Sequence, residues 1–165
     1  MNIFQTQRCP IESAREHCNI HRNSQLKEGV QMLSTAHRVL DGDLADDRLY
    51  KVCQPGNRFT KWARESDKNY LWLWSYCNEL NNMFIEHSGR SHKSGELLDI
   101  LKTLPHNISI GELSPVPIAE SSDTVQYIYN IDPVLGHREY LCEKFCEWRE
   151  RGKKFIFVNE PAWLV

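Results

Sequence analysis

The chain predicts a mainly α protein: a single compact domain of about four to five helices arranged around one long central helix. Three observations carry this. Between His17 and Arg38, read at about 100° per residue, Leu26, Val30, Leu33, His37 and Leu40 fall on one helical face at alternating spacings of four and three. The segment SDKNYLWLWSYCNELNNMFIEHSG repeats that period through Leu73, Cys77, Leu80 and Phe84, between a cap at Ser66 or Asp67 and a terminating Gly89. Extended patterning is confined to Phe155–Val158, which leaves room for at most one short strand.

In chain order, Pro10 suits the first turn of a helix running to Leu40, with a break expected near Asn23 or Gly29. The run DGDLADD ends it. Tyr50 to Thr60 holds a Pro-Gly turn without periodicity and reads as an ordered loop leading into KWARES. After the helix begun at Ser66, Ser94 starts a shorter one, SGELLDILKTL, that stops before Pro105. Asn107 to Pro133, rich in Ser, Pro and Asp, reads as a long loop. A last helix spans about His137 to Arg151 and stops at Gly152, and the tail KKFIFVNEPAWLV is apolar and extended.

At 165 residues, 41% hydrophobic and with five Trp, the chain suits one domain with a real core, covering 1–165. Twenty Lys and Arg against 22 Asp and Glu give a formal charge of −2, so no global positive field draws the protein onto DNA, and any nucleic-acid site is a local patch. No apolar run approaches the roughly 20 residues that span a bilayer, and MNIFQTQRCP has neither a basic nor an apolar leader region. A soluble, non-secreted, cytoplasmic protein without a membrane partner is expected. The six Cys sit inside helical patterns of a chain too large to need staples, which favours free thiols.

On the face opposite the apolar stripe stand His17, His21, Ser24, Glu28 and Thr35, where a solvent-facing helix would carry Lys–Glu pairs. An ordered polar stripe of that kind suggests a site. His17 with His21, and Cys142 with Cys146, each at i and i+4, offer the donors of a Cys2His2 zinc site. Neither spacing is the common zinc one, and paired Cys at this spacing ordinarily belong to a core, so no metal and no cofactor is expected.

MNIF, the QMLSTAHR of the first long helix, FTKWARES, DKNYLWLW, HKSGELL and the terminal PAW together resemble the bacterial and phage pyrimidine-dimer DNA glycosylases, whose characterised relative is the small all-α endonuclease V type of glycosylase and AP lyase. The resemblance spreads over most of the chain, apart from Asn107–Pro133. It implies that fold, and a DNA or nucleotide partner with a damaged or modified base. It makes Glu28 the catalytic carboxylate, with His21 seven residues earlier as in the family, and Lys27 where the family has Arg. Pro161 and Trp163 match the family's C-terminal Pro-x-Trp. The family's nucleophile is the α-amine of a Thr exposed when the initiator Met is removed. Residue 2 is Asn2 here, whose bulk keeps Met1 in place, so the amine would be that of Met1.

An α-amine titrates near 8, so much of it is neutral at cellular pH and can attack a sugar C1′, while a neighbouring carboxylate stabilises the cation formed and shuttles protons. Arg22, Lys27, Arg58, Lys61 and Arg64 are candidates for phosphates, as are His92 and Lys93 before the LL helix. Trp62, Tyr70 and Trp163 are candidates to stack on an unstacked base, and His17, Ser24 and Gln31 to line the substrate face. Two other classes fit the near-neutral charge: an enzyme of modified nucleotide or base metabolism on the same fold, and a non-catalytic nucleic-acid or nucleotide binding module.

Overall fold

The computed structural model describes residues 1–164, and among them it contains seven α-helices, two single-turn 3₁₀ segments and no strand. The helices are α1 (Pro10–Arg15), α2 (Asn19–Asp41), α3 (Arg58–Ala63), α4 (Asp67–Ser88), α5 (Leu98–Leu101), α6 (Asp123–Ile131) and α7 (Pro133–Glu150). The core lies where α2 packs on α4: Leu26, Val30 and Leu33 meet Leu73, Cys77 and Leu80, all six buried. The caps of α4 are those its sequence predicts, with Ser66 Oγ accepting from the Asn69 N–H at 3.1 Å and Gly89 closing the helix at φ 73°. No helix among the described residues is long and apolar enough to cross a membrane.

Gly29 stays helical instead of breaking α2, and its lack of a side chain sets the α2–α4 distance. A Cβ there would lie 2.3 Å from Cys77 Sγ and 3.5 Å from Leu73 Cδ1. Gly29→Ala should therefore cost about 1–3 kcal/mol by overpacking, and adding Cys77→Ala should return part of that loss, as urea denaturation of the two proteins would read. An unchanged midpoint for the single variant would show that the helices can part without cost.

The break falls earlier, between Glu16 and Cys18. Cys18 takes extended backbone (ψ 163°), which starts α2 at Asn19 and frees the Asn19 N–H to donate to Ile156 O at 2.8 Å. The Ile156 N–H donates in turn to Asn19 Oδ1 at 2.9 Å, so the tail from Phe155 is held along the start of α2 without forming a strand. The long loop expected from Asn107 to Pro133 contains α6, capped by Ser122 on the Val125 N–H. The last helix starts four residues before His137, with Pro133 at its first position and Asp132 Oδ1 accepting from the Val134 N–H at 2.8 Å. Gly136 lets α7 fold back on α6, since a Cβ there would meet Tyr129 Cα at 2.5 Å.

The opposed-stripe reading of α2 needs one correction. Its second face is not solvent-facing, because His21 and Thr35 are buried, as is His17, which precedes the helix, whereas Leu40 on the apolar stripe is only half-buried. α2 is sandwiched. One face meets α4, and near its start the other meets a second apolar cluster built from Phe4, Leu141 and Phe145, to which Trp148, Phe155 and Phe157 add partly buried rings.

Candidate active site

The first residues of the chain are threaded into the fold rather than left loose. Ile3 is buried against the α2–α4 core, and Phe4 against the second cluster. Between these anchors one side chain of α2 holds the backbone. Gln25 Oε1 accepts from the Phe4 N–H and the buried Tyr76 hydroxyl, both at 3.2 Å, and Gln25 Nε2 donates to Asn2 O and Asn2 Oδ1, both at 3.0 Å. From the other side Asn57 Nδ2 donates to Met1 O at 3.3 Å and the Thr60 hydroxyl to Met1 Sδ at 3.8 Å. Glu28, one turn beyond Gln25, then receives the chain start: the Asn2 N–H donates to Glu28 Oε2 at 2.9 Å, and the Met1 amine lies 4.0 Å from the same oxygen. The Met1 side chain is 3% exposed and that of Glu28 29%, so a sulfur packed in protein backs an amine and a carboxylate at an edge that solvent reaches.

Around this pair the candidates divide. Lys27 is exposed and Gln31 half-buried on the outward strip of α2 beside Glu28, and Ser24 turns its hydroxyl back onto Ile20 O and His21 O at 3.2 Å. His92 is half-buried, its Nδ1 accepting from the Ser94 N–H at 3.0 Å; burial, and then the charge of Lys27, push its pKa down. Lys93 and Lys61 are exposed. Arg58 donates to Ile118 O at 3.0 Å, and Arg64 to Thr60 O at 2.8 Å and Pro55 O at 2.7 Å, so both guanidinium groups bind backbone carbonyls of their own fold.

Trp62 and Tyr70 do not present a ring to a substrate. Both are buried, with Trp62 Nε1 donating to Ser114 O at 3.1 Å and the Tyr70 hydroxyl donating to Leu101 O at 2.9 Å. Trp163 is half-buried, donates to Glu16 Oε2 at 2.8 Å and has the Arg138 guanidinium 5.8 Å from its ring centre.

His21 shares the angular sector of α2 that carries Glu28, and His17 lies just before the helix, but both pack against Phe4 of the second cluster and not toward the amine. The His21 ring lies 4.9 Å from that of Phe4, 5.3 Å from Phe145 and 5.0 Å from Trp148, and neither of its nitrogens has a hydrogen-bond partner. Burial pushes its pKa to about 2, and pushes that of His17 to about 3 against an opposing interaction with the Phe4 backbone. His137, whose ring nitrogen meets Val116 O at 3.1 Å, is held at about 4 by burial.

These imidazoles stay neutral in the fold and become protonated in the unfolded chain below about 6.5. The unfolded state therefore binds more protons, and stability is lost as pH falls from about 6.5 toward the folded values. At pH 5 each costs roughly 2 kcal/mol, so the chemical-denaturation midpoint should drop sharply between pH 7 and pH 5. The variant His21→Phe should drop less, and an equal slope for both proteins would remove His21 from the effect.

The alternative of a zinc site is not assembled: among the described residues no group of three or more His, Cys, Asp or Glu is placed to hold a metal ion, and Cys146 faces solvent. The residues that organise the chain start are ones the sequence did not single out, Gln25, Asn57, Thr60 and Tyr76. A partial signal existed for two of them. Gln25 lies at i+4 from His21 and i−3 from Glu28, and Asn57 is the cap of α3, accepting from the Phe59 N–H at 2.9 Å while its amide reaches Met1.

No family model, curated protein or solved structure matches the chain.

Proposed function

We propose that the protein cleaves the N-glycosidic bond of a damaged or modified base, in DNA or a nucleotide, using the amine of the chain start and the Glu28 carboxylate. The observation that carries this reading is the single oxygen, Glu28 Oε2, shared by the Asn2 N–H at 2.9 Å and the Met1 amine at 4.0 Å. A neutral amine attacks the sugar C1′ and forms a C–N bond. The C1′–base bond breaks with its electron pair leaving on the base, which takes up a proton. The nitrogen then sheds a proton to Glu28, and the lone pair this frees expels the ring oxygen, which takes the proton back from Glu28 to leave as a hydroxyl; the iminium formed stands opposite the Glu28 carboxylate. Lys27 and Gln31 border the approach, and the formal charge of −2 suits a short or single-stranded substrate better than scanning of long duplex.

Borohydride trapping tests this. The iminium would be reduced to a stable secondary amine, so the full chain incubated with oligonucleotides carrying a panel of modified bases should gain the mass of a sugar-linked strand on its first residue. No adduct with any abasic or modified substrate, or an adduct that survives acetylation of the amine, would refute the proposal.

A further inference from the structure

We infer a phosphate-binding subsite in the cavity between the start of α2 and the second half of α4. The cavity measures about 190 Å³ and is lined by Asn19, Arg22 and Asn23 from α2 and by Met83, Phe84 and His87 from α4. That volume lies below the roughly 300–1,000 Å³ of sites for drug-sized ligands and suits a fragment such as a phosphate ester.

Arg22 makes the cavity selective. Its Nε is shielded from solvent yet has no hydrogen-bond partner, and no ion pair engages its guanidinium among the described residues. The titratable groups that feel its charge include the buried His17 and the Cys18 thiol, whose pKa burial pushes up. The Arg22 charge helps hold the buried His17 neutral, His87 is a second basic group in the lining, and the Phe84 ring packs edge-on to His92 at 5.1 Å, whose pKa Lys27 helps to lower. A guanidinium without an ion pair, in a lining that also holds two neutral amides, offers the fork geometry that matches phosphate oxygens. No carboxylate lines the cavity. Arg22 precedes Glu28 by six residues, about 9 Å along the axis, which is the span of two to three base steps at ~3.4 Å each. A strand with one phosphate on Arg22 would thus cross α2 beside Lys27 toward the amine. The subsite stands without the chemistry proposed at Glu28, and its test is binding, not turnover.

The full chain is titrated at constant ionic strength with thymidine 5′-monophosphate, thymidine, inorganic phosphate and a thymidine tetranucleotide lacking terminal phosphates, by calorimetry and by the ¹⁵N signal of Arg22 Nε–H. The phosphate-bearing ligands should bind and shift that signal, and thymidine should not. Arg22→Gln, and separately Asn23→Asp, which places a carboxylate in the lining from an exposed position, should each weaken binding at least tenfold. Tighter binding of the tetranucleotide would identify a backbone phosphate as the ligand, and tighter binding of the monophosphate a free nucleotide. Equal affinity for thymidine and its monophosphate, undiminished binding by Asn23→Asp in a folded protein, or no binding of any phosphate would overturn the inference.

Discussion

Glu28→Gln should slow base release by about a hundredfold or more and barely move the melting temperature. The substitution keeps the shape and keeps an oxygen that can accept from the Asn2 N–H, now 2.9 Å from Glu28 Oε2. It removes the negative charge, and with it, in the proposed reaction, both the proton acceptor for the attacking amine and the counter-charge of the iminium. Little folding energy is at stake, because a pair whose carboxylate is 29% exposed is screened by water and adds little to stability. Gln25→Leu is the contrast. It leaves Asn2 O, the Phe4 N–H and the Tyr76 hydroxyl without their partner, so stability and activity should fall together. Parallel kinetics and thermal melts separate the two cases, and a Glu28→Gln protein that loses both in proportion would mark a structural carboxylate.

How far the sequence could be read depends on what each residue's role requires. Periodicity reports burial, so the core faces of α2, with Leu26, Val30 and Leu33, and of α4, with Leu73 and Cys77, were legible, as were the Ser66 and Gly89 ends of α4, while their pairing with each other came only with the fold. Periodicity does not report what buries a face. His17, His21 and Thr35 look like a solvated polar stripe because their partners, Phe4, Phe145, Trp148 and Cys53, come from distant parts of the chain. α6 was missed for a related reason. Its start signal, Ser122 before Val125, sits among prolines and serines that by themselves read as loop. At the candidate site, the resemblance, through the spacing of Glu28 from His21, pointed to the carboxylate but not to its surroundings. The two residues face different partners, and the groups that bring the amine to Glu28 are an amide and a cap whose positions only the tertiary fold defines.

The largest effect concerns where the nucleophile stands. Weak or absent strand cleavage at pyrimidine dimers is the expected result for the chain that carries Met1. The Asn2 nitrogen, at 2.9 Å from Glu28 Oε2, occupies the residue-2 position from which the resembled family presents its amine, but here it is an amide; the Met1 amine stands at 4.0 Å. One residue of chain can shift the attacking atom by up to about 3.5 Å, and a reaction that needs near-attack geometry loses several orders of magnitude over such a distance. The check combines intact-mass measurement of the first residue with incubation of the Met1-bearing protein, a dimer-containing duplex and borohydride. An efficient covalent adduct, lost when the amine is blocked, would show that the ordinary dimer-glycosylase reading stands. A trace adduct with dimers, beside a strong one with another modified base, would place the shift in specificity at the first residue of the chain.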